Sequence, residues 1–131
     1  MLNGYAYITV LVNDQDEAIK FYQETLGLEL RMDVPFSPEV RWVTVAPKET
    51  FYPEISLVKA SSEAQKNAVG KQAGDYTALV LTTENANESH AEFSAKGVNV
   101  LGEPVNVPWG REFEITDLSG NRITILQLAA R

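Results

Sequence analysis

Two periodicities take turns along this chain. Short runs rich in β-branched and aromatic residues repeat every second position, and two longer runs repeat near every 3.6. The first run, Tyr5 to Val12 (YAYITVLV), predicts a strand with Ile8, Val10 and Val12 on one face and Tyr5, Tyr7, Thr9 and Leu11 on the other. Asp14 stands where an N-cap belongs, ahead of an acidic first turn of Asp16 and Glu17. Ala18, Phe21, Tyr22 and Leu26 then form an apolar helical stripe, and Gly27 ends it. Leu28–Met32, Arg41–Ala46 and Glu54–Val58 are expected as three further strands. The proline-containing stretches VPFSP and APKETFYP are expected as the loops between them. Residues 61–74 (SSEAQKNAVGKQAG) are small and polar, and predict a connector with one helical turn.

The pattern then restarts. Tyr76–Thr82 predicts a strand, Glu84 to Lys96 an amphipathic helix with Ala91 and Phe93 among its apolar positions, and Gly97 its end. Asn99–Leu101, Glu112–Thr116 and Arg122–Leu128 complete the set, the last two joined by a turn at 117–121. Thirteen positions separate Asp14 from Gly27, and thirteen separate Glu84 from Gly97. One strand precedes each helix and three follow it, which marks an internal duplication of about 70 residues. The expected fold is α+β: two tandem βαβββ modules, about 1–60 and 75–131, in a single domain. Their eight strands would form a curved mixed sheet around a cavity, with the helices outside. A ferredoxin-like domain also uses two βαβ halves, but the extra strands in each half argue against it.

Composition narrows the function classes. The chain has 131 residues, of which 44% are hydrophobic, so it can bury a core without covalent staples. It has no cysteine, which excludes disulfides and any thiolate zinc site. Its net charge of −7 and the lack of a Lys/Arg cluster disfavour nucleic acid as a partner. No apolar run approaches the roughly 18 residues of a membrane span, and the opening MLNGYAYITVLVNDQ lacks the features of a secretory signal. A cytoplasmic protein without membrane partners is expected.

Three segments carry a resemblance. AIKFYQETLGLEL is similar to the segment after the first strand in the vicinal oxygen chelate superfamily, which includes glyoxalases, bleomycin resistance proteins and extradiol dioxygenases. WGREFEITDLSGNRITILQ resembles the closing hairpin of that superfamily, and PFSPEVRWVTVAP is similar to its small bacterial glyoxalase-like members. The resemblance implies paired βαβββ modules, a homodimer in many members, and a divalent metal held by four side chains, typically His or Gln and Glu, two from each module. It places those positions at Tyr7, at Ser56, at Thr77 or Ala78, and at Thr124. None is His, Gln, Glu or Asp, and hydroxyl and methyl groups seldom hold zinc, nickel or iron without carboxylate or imidazole help. No metal or other cofactor is therefore expected. The one histidine, His90, is expected as a solvated residue of the second helix.

Strand alternation turns Tyr7, Thr9, Leu11, Glu54, Ser56, Val58, Thr124 and Leu126 toward the cavity, an apolar cup with a few hydroxyls suited to a small organic ligand. Trp42 is either core or pocket. Trp109, between Pro108 and Gly110, is a lid or a stacking surface. Glu54 is the one carboxylate with a claim to chemistry, since burial beside Tyr7 would raise its pKa and suit a general base. Arg41, Glu112 and Glu114 are rim candidates. The leading reading is a metal-independent small-molecule binding protein that sequesters a drug or metabolite. The alternative is a glyoxalase-like lyase or isomerase acting on a small oxygenated substrate. It would use Glu54 as base or a relocated metal site built from Glu54 with Glu112 or Glu114. A dioxygenase is disfavoured.

Overall fold

A computed structural model describes residues 1–130. The chain divides into two compact units, Met1–Val69 and the remainder from Gly70, with the boundary inside the expected connector. The eight expected strands are shared between two four-stranded mixed sheets, one per unit, rather than running as one continuous ladder.

In the first unit the elements are β1 (Tyr7–Val12), α1 (Gln15–Ile19) continuing as a π-helical turn (Lys20–Thr25), β2 (Glu29–Ser37), β3 (Val40–Ala46), β4 (Glu54–Lys59) and α2 (Glu63–Ala68). The sheet order is β1-β4-β3-β2, with β1 and β4 parallel. Asp14 caps α1 as expected, its carboxylate accepting from the Glu17 N–H. The helix widens because the Leu26 N–H reaches the Phe21 carbonyl, five residues back, and Gly27 closes it at φ 79°. Tyr22 of this turn and the strand residues Val10, Val12, Ile55 and Leu57 are buried, and each aliphatic side chain contributes about 1.5–3 kcal/mol by leaving water. Ile8, expected in that core, is 39% exposed at the strand's start.

VPFSP is not a loop: β2 extends through Pro35 to Ser37. As the outer strand of its sheet, β2 has no neighbour that needs the missing proline N–H, and a register shift follows Pro35. The connector's turn is α2, closed by a capping box between Ser62 and Gln65. Gln15 fills a gap that periodicity does not reveal. The registered pairs of β3 with β4 are Thr44–Ser56 and Val45–Ile55. Beyond them the Gln15 amide bridges the strands, donating to the Arg41 and Leu57 carbonyls at 2.9 Å each.

The second unit repeats the order with β5 (Thr77–Thr82), α3 (Ala86–Ala95), β6 (Val105–Val107), β7 (Gly110–Thr116) and β8 (Arg122–Leu128), arranged β5-β8-β7-β6. Asn85 caps α3, so this helix starts later than expected. Ala86 and Phe93 are its buried residues, whereas Ala91 is exposed. Gly97 ends α3 at the same φ of 79° as Gly27, a structural echo of the duplication. The third expected strand is displaced: Asn99–Leu101 makes only a single bridge, Val100 to Ile115, and β6 forms further on. Gly102 and Pro104 interrupt this edge, and pairing resumes at Val105–Glu112. The turn at 117–121 forms as expected. Buried Asp117 accepts from the Ser119 and Asn121 backbone N–H groups and from the Asn121 side chain. No helix among the described residues is long and apolar enough to cross a membrane.

Candidate functional site

Each sheet packs its helix on one face and places the expected ligand-facing residues on the other. In the first unit Tyr7 pairs with Glu54 and Thr9 with Ser56 across the parallel β1–β4 ladder. Trp42 is half-buried, and the Tyr7 ring meets it edge-on at 5.3 Å. Tyr52 meets Tyr7 in the same way at 6.1 Å. Glu54 is buried, as the general-base reading requires, but it faces a fixed cation, with an Arg31 Nη1 at 3.5 Å from its carboxylate. Arg31 also holds the β3–β4 loop through the Pro47 and Thr50 carbonyls, at 2.8 and 2.6 Å. Glu54 thus belongs to an ion pair that anchors a loop, and periodicity gave no sign of its partner.

Arg41 is not a rim residue. It alternates with Trp42 onto the helix face, where it donates to Asp33 and Asp16. Hydrogen bonding to Arg41 holds the Asp33 carboxyl below its ordinary range. His90 also departs from expectation. Its side chain is 18% exposed, edge-on to Phe113 at 5.2 Å, with Nε2 at 3.0 Å from the Gly102 carbonyl. Packing on β7 explains this placement, which the polar sequence around it concealed.

The second unit holds a cavity of about 330 Å³ on the face away from α3. Its floor is Thr77, Val80, Thr124 and Leu126. A bulge in β5 at Ala78 separates Thr77, which pairs with Arg122, from Val80, which pairs with Thr124. The Thr124 hydroxyl donates to the Thr77 hydroxyl at 2.9 Å, and Thr77 donates onward to the Leu79 carbonyl at 3.0 Å. Above the floor stand Trp109 and Tyr76, 57% and 73% exposed. Trp109 sits in the turn between β6 and β7 and donates its indole N–H to Glu112 at 3.1 Å. Glu114 accepts from Arg122, whose guanidinium also donates to the Asp75 carbonyl, and the hydrogen bond to Glu114 raises Arg122 above its ordinary pKa. Glu112 and Glu114 gave only a weak sequence signal. Their alternation with buried Phe113 and Ile115 is what turns them to the cavity.

Tyr7, Ser56, Thr77 and Thr124 do not fit a divalent ion. All four offer neutral oxygens, and two of those hydroxyls are engaged with each other. Among the described residues no group of three or more His, Asp or Glu side chains is placed to hold one elsewhere.

Residues 4–125 match the family model of the Glyoxalase/Bleomycin resistance protein/Dioxygenase superfamily, and the chain belongs to that superfamily. Among solved structures it is similar to TnmS3, an antibiotic binding protein from Streptomyces sp. CB03234. That match is 32% identical, with a TM-score of 0.82 over 98% of each chain. It is also similar to UcmS2, at 32% identity and a TM-score of 0.85 over 97% of this chain and 99% of that one. A curated relative, an uncharacterized protein of Shewanella frigidimarina, is 31% identical over 98% of this chain and 96% of its own length.

Proposed function

We propose that this protein is a metal-independent binder that sequesters an aromatic, drug-like small molecule. The observation that carries the reading is the cavity of the second unit. There an exposed indole and phenol border a floor whose Thr77 and Thr124 hydroxyls bond to each other. A cavity of this size and mixed lining suits an organic ligand. Similarity to an antibiotic binding protein over nearly the whole chain supports the same class.

Thermal-shift screening against aromatic antibiotics tests the reading, because a ligand that binds only the folded form raises the melting temperature. Trp109→Ala is expected to weaken binding of any hit by about tenfold or more, the scale of losing a stacked indole. An unchanged affinity in W109A would remove the cavity from consideration. Dialysis after refolding with nickel, zinc, manganese or iron is expected to leave no stoichiometric metal. One tightly held ion per chain, measured by elemental analysis, would reverse the metal-independent reading.

A homodimer in the cytoplasm is part of the proposal. Tyr7, Val34, Phe36 and Tyr52 are all more than 40% exposed in the first unit, an apolar surface consistent with a covered face. Sedimentation velocity at micromolar concentration decides between one chain and two.

A further inference from the structure

The charge at the second unit's cavity specifies the ligand further. Three carboxylates, Asp75, Glu112 and Glu114, border it against one guanidinium, Arg122. That guanidinium is engaged by Glu114 and the Asp75 carbonyl, so its charge is already directed at the protein. Glu112 is different. Among the described residues it has no ion pair, and its bond to Trp109 uses one carboxylate oxygen. It is half-buried between the exposed indole and the floor strands, where a charge is screened less than at an open surface.

We propose that the cavity takes a flat, multi-ring aromatic cation that carries N–H donors, with the rings on Trp109 and a cationic N–H at Glu112. The proposal rests on the binder reading above and adds the sign of the ligand's charge. The two residues act together. Glu112 holds the indole in place as a ready stacking surface, and an indole face itself attracts cations through its quadrupole. The same carboxylate then meets the cationic N–H with a charge-assisted hydrogen bond. An anionic ligand of the same shape would have to approach Glu112 and Glu114 with Arg122 unavailable to balance it. Glu112 is therefore both a positioning residue for Trp109 and the selector of charge.

Calorimetric titration of the full chain with three probes of matched size tests this: 9-aminoacridine as the cation, acridone as a neutral analogue and anthracene-9-carboxylate as the anion. The expected ranking is cation, then neutral, then anion, with about tenfold between the first two. The cation's advantage should shrink in part as salt rises from about 50 to about 500 mM, because a half-buried charge pair is still screened to some degree. Glu112→Gln keeps an acceptor for the indole N–H while deleting the charge. It is expected to weaken 9-aminoacridine by about tenfold and to leave acridone within about twofold. If acridone or the carboxylate binds wild type as tightly as the cation, the charge assignment is overturned and the binder reading stands. If E112Q weakens acridone and 9-aminoacridine alike, Glu112 acts only by placing Trp109, and the assignment is likewise overturned. If none of the three binds, both readings fall. The wild-type ranking and its salt response need no variant, so a poorly folded E112Q would not spare the proposal.

Discussion

Replacing Gly110 by alanine is expected to destabilise the protein by about 3 kcal/mol and to abolish ligand binding at the second unit's cavity. A Cβ at this position would stand 2.0 Å from the Gln127 carbonyl oxygen and 3.2 Å from the Ala129 amide nitrogen. Both are backbone atoms of the neighbouring chain segment, so no side-chain rotation relieves the overlap. Gly110 pairs with Leu128, and the residue before it, Trp109, accepts the Ala129 N–H at 2.8 Å through its carbonyl. Relief requires β7 to move off β8 at the end that carries the indole. Stability and ligand contact are therefore expected to fail together. The measurement is a urea midpoint at unchanged m-value, with Gly4→Ala as the reference, since nothing lies within 4 Å of a Cβ there. A G110A protein that melts with wild type would show that β7 and β8 do not approach so closely.

Gln15 provides the second large effect, this time in the first unit and without any ligand. Its amide is the donor for two backbone carbonyls, Arg41 and Leu57, where the β3–β4 pairing gives way. Gln15→Leu preserves bulk and leaves those acceptors without their donor. A buried unsatisfied acceptor costs about 1–3 kcal/mol, so a loss of about 2–4 kcal/mol is expected for the pair. Gln15→Glu should be worse, because a carboxylate would face the two carbonyl oxygens. Chemical denaturation of the three proteins side by side checks the order. A loss below about 0.5 kcal/mol in Q15L would mean that the amide does not hold the strands.

The two variants also mark the limits of what periodicity could reveal. Strand alternation assigned the buried faces of β1, β4, β7 and β8, because burial on one side of a sheet imposes a period of two. The duplication was legible as equal spacing between caps and closing glycines. It ends in the same φ at Gly27 and Gly97. Misplacement came where edge pairing overrides local signals. Pro35 lies within β2, and the Asn99–Leu101 segment yields to β6 beyond Pro104, since outer strands tolerate proline and interruption. The site divides along the same line. Strand register and loop position pointed to Thr124 and Trp109, which border the second unit's cavity, whereas Ser56 is buried in the first unit. Arg31 opposite Glu54 and Asp16 beside Arg41 are contacts between residues that no local window connects, and the bond from Trp109 to Glu112 depends on how the β6–β7 turn folds.

Strand pairing is closed within each half of the chain. Substitutions that re-cut the ligand face of β7 and β8 interrupt no backbone hydrogen bond of β1 to β4. Changing what is held and remaining folded are thereby partly separate problems for this architecture. A lineage can explore new chemistries on one half while the other keeps an intact framework.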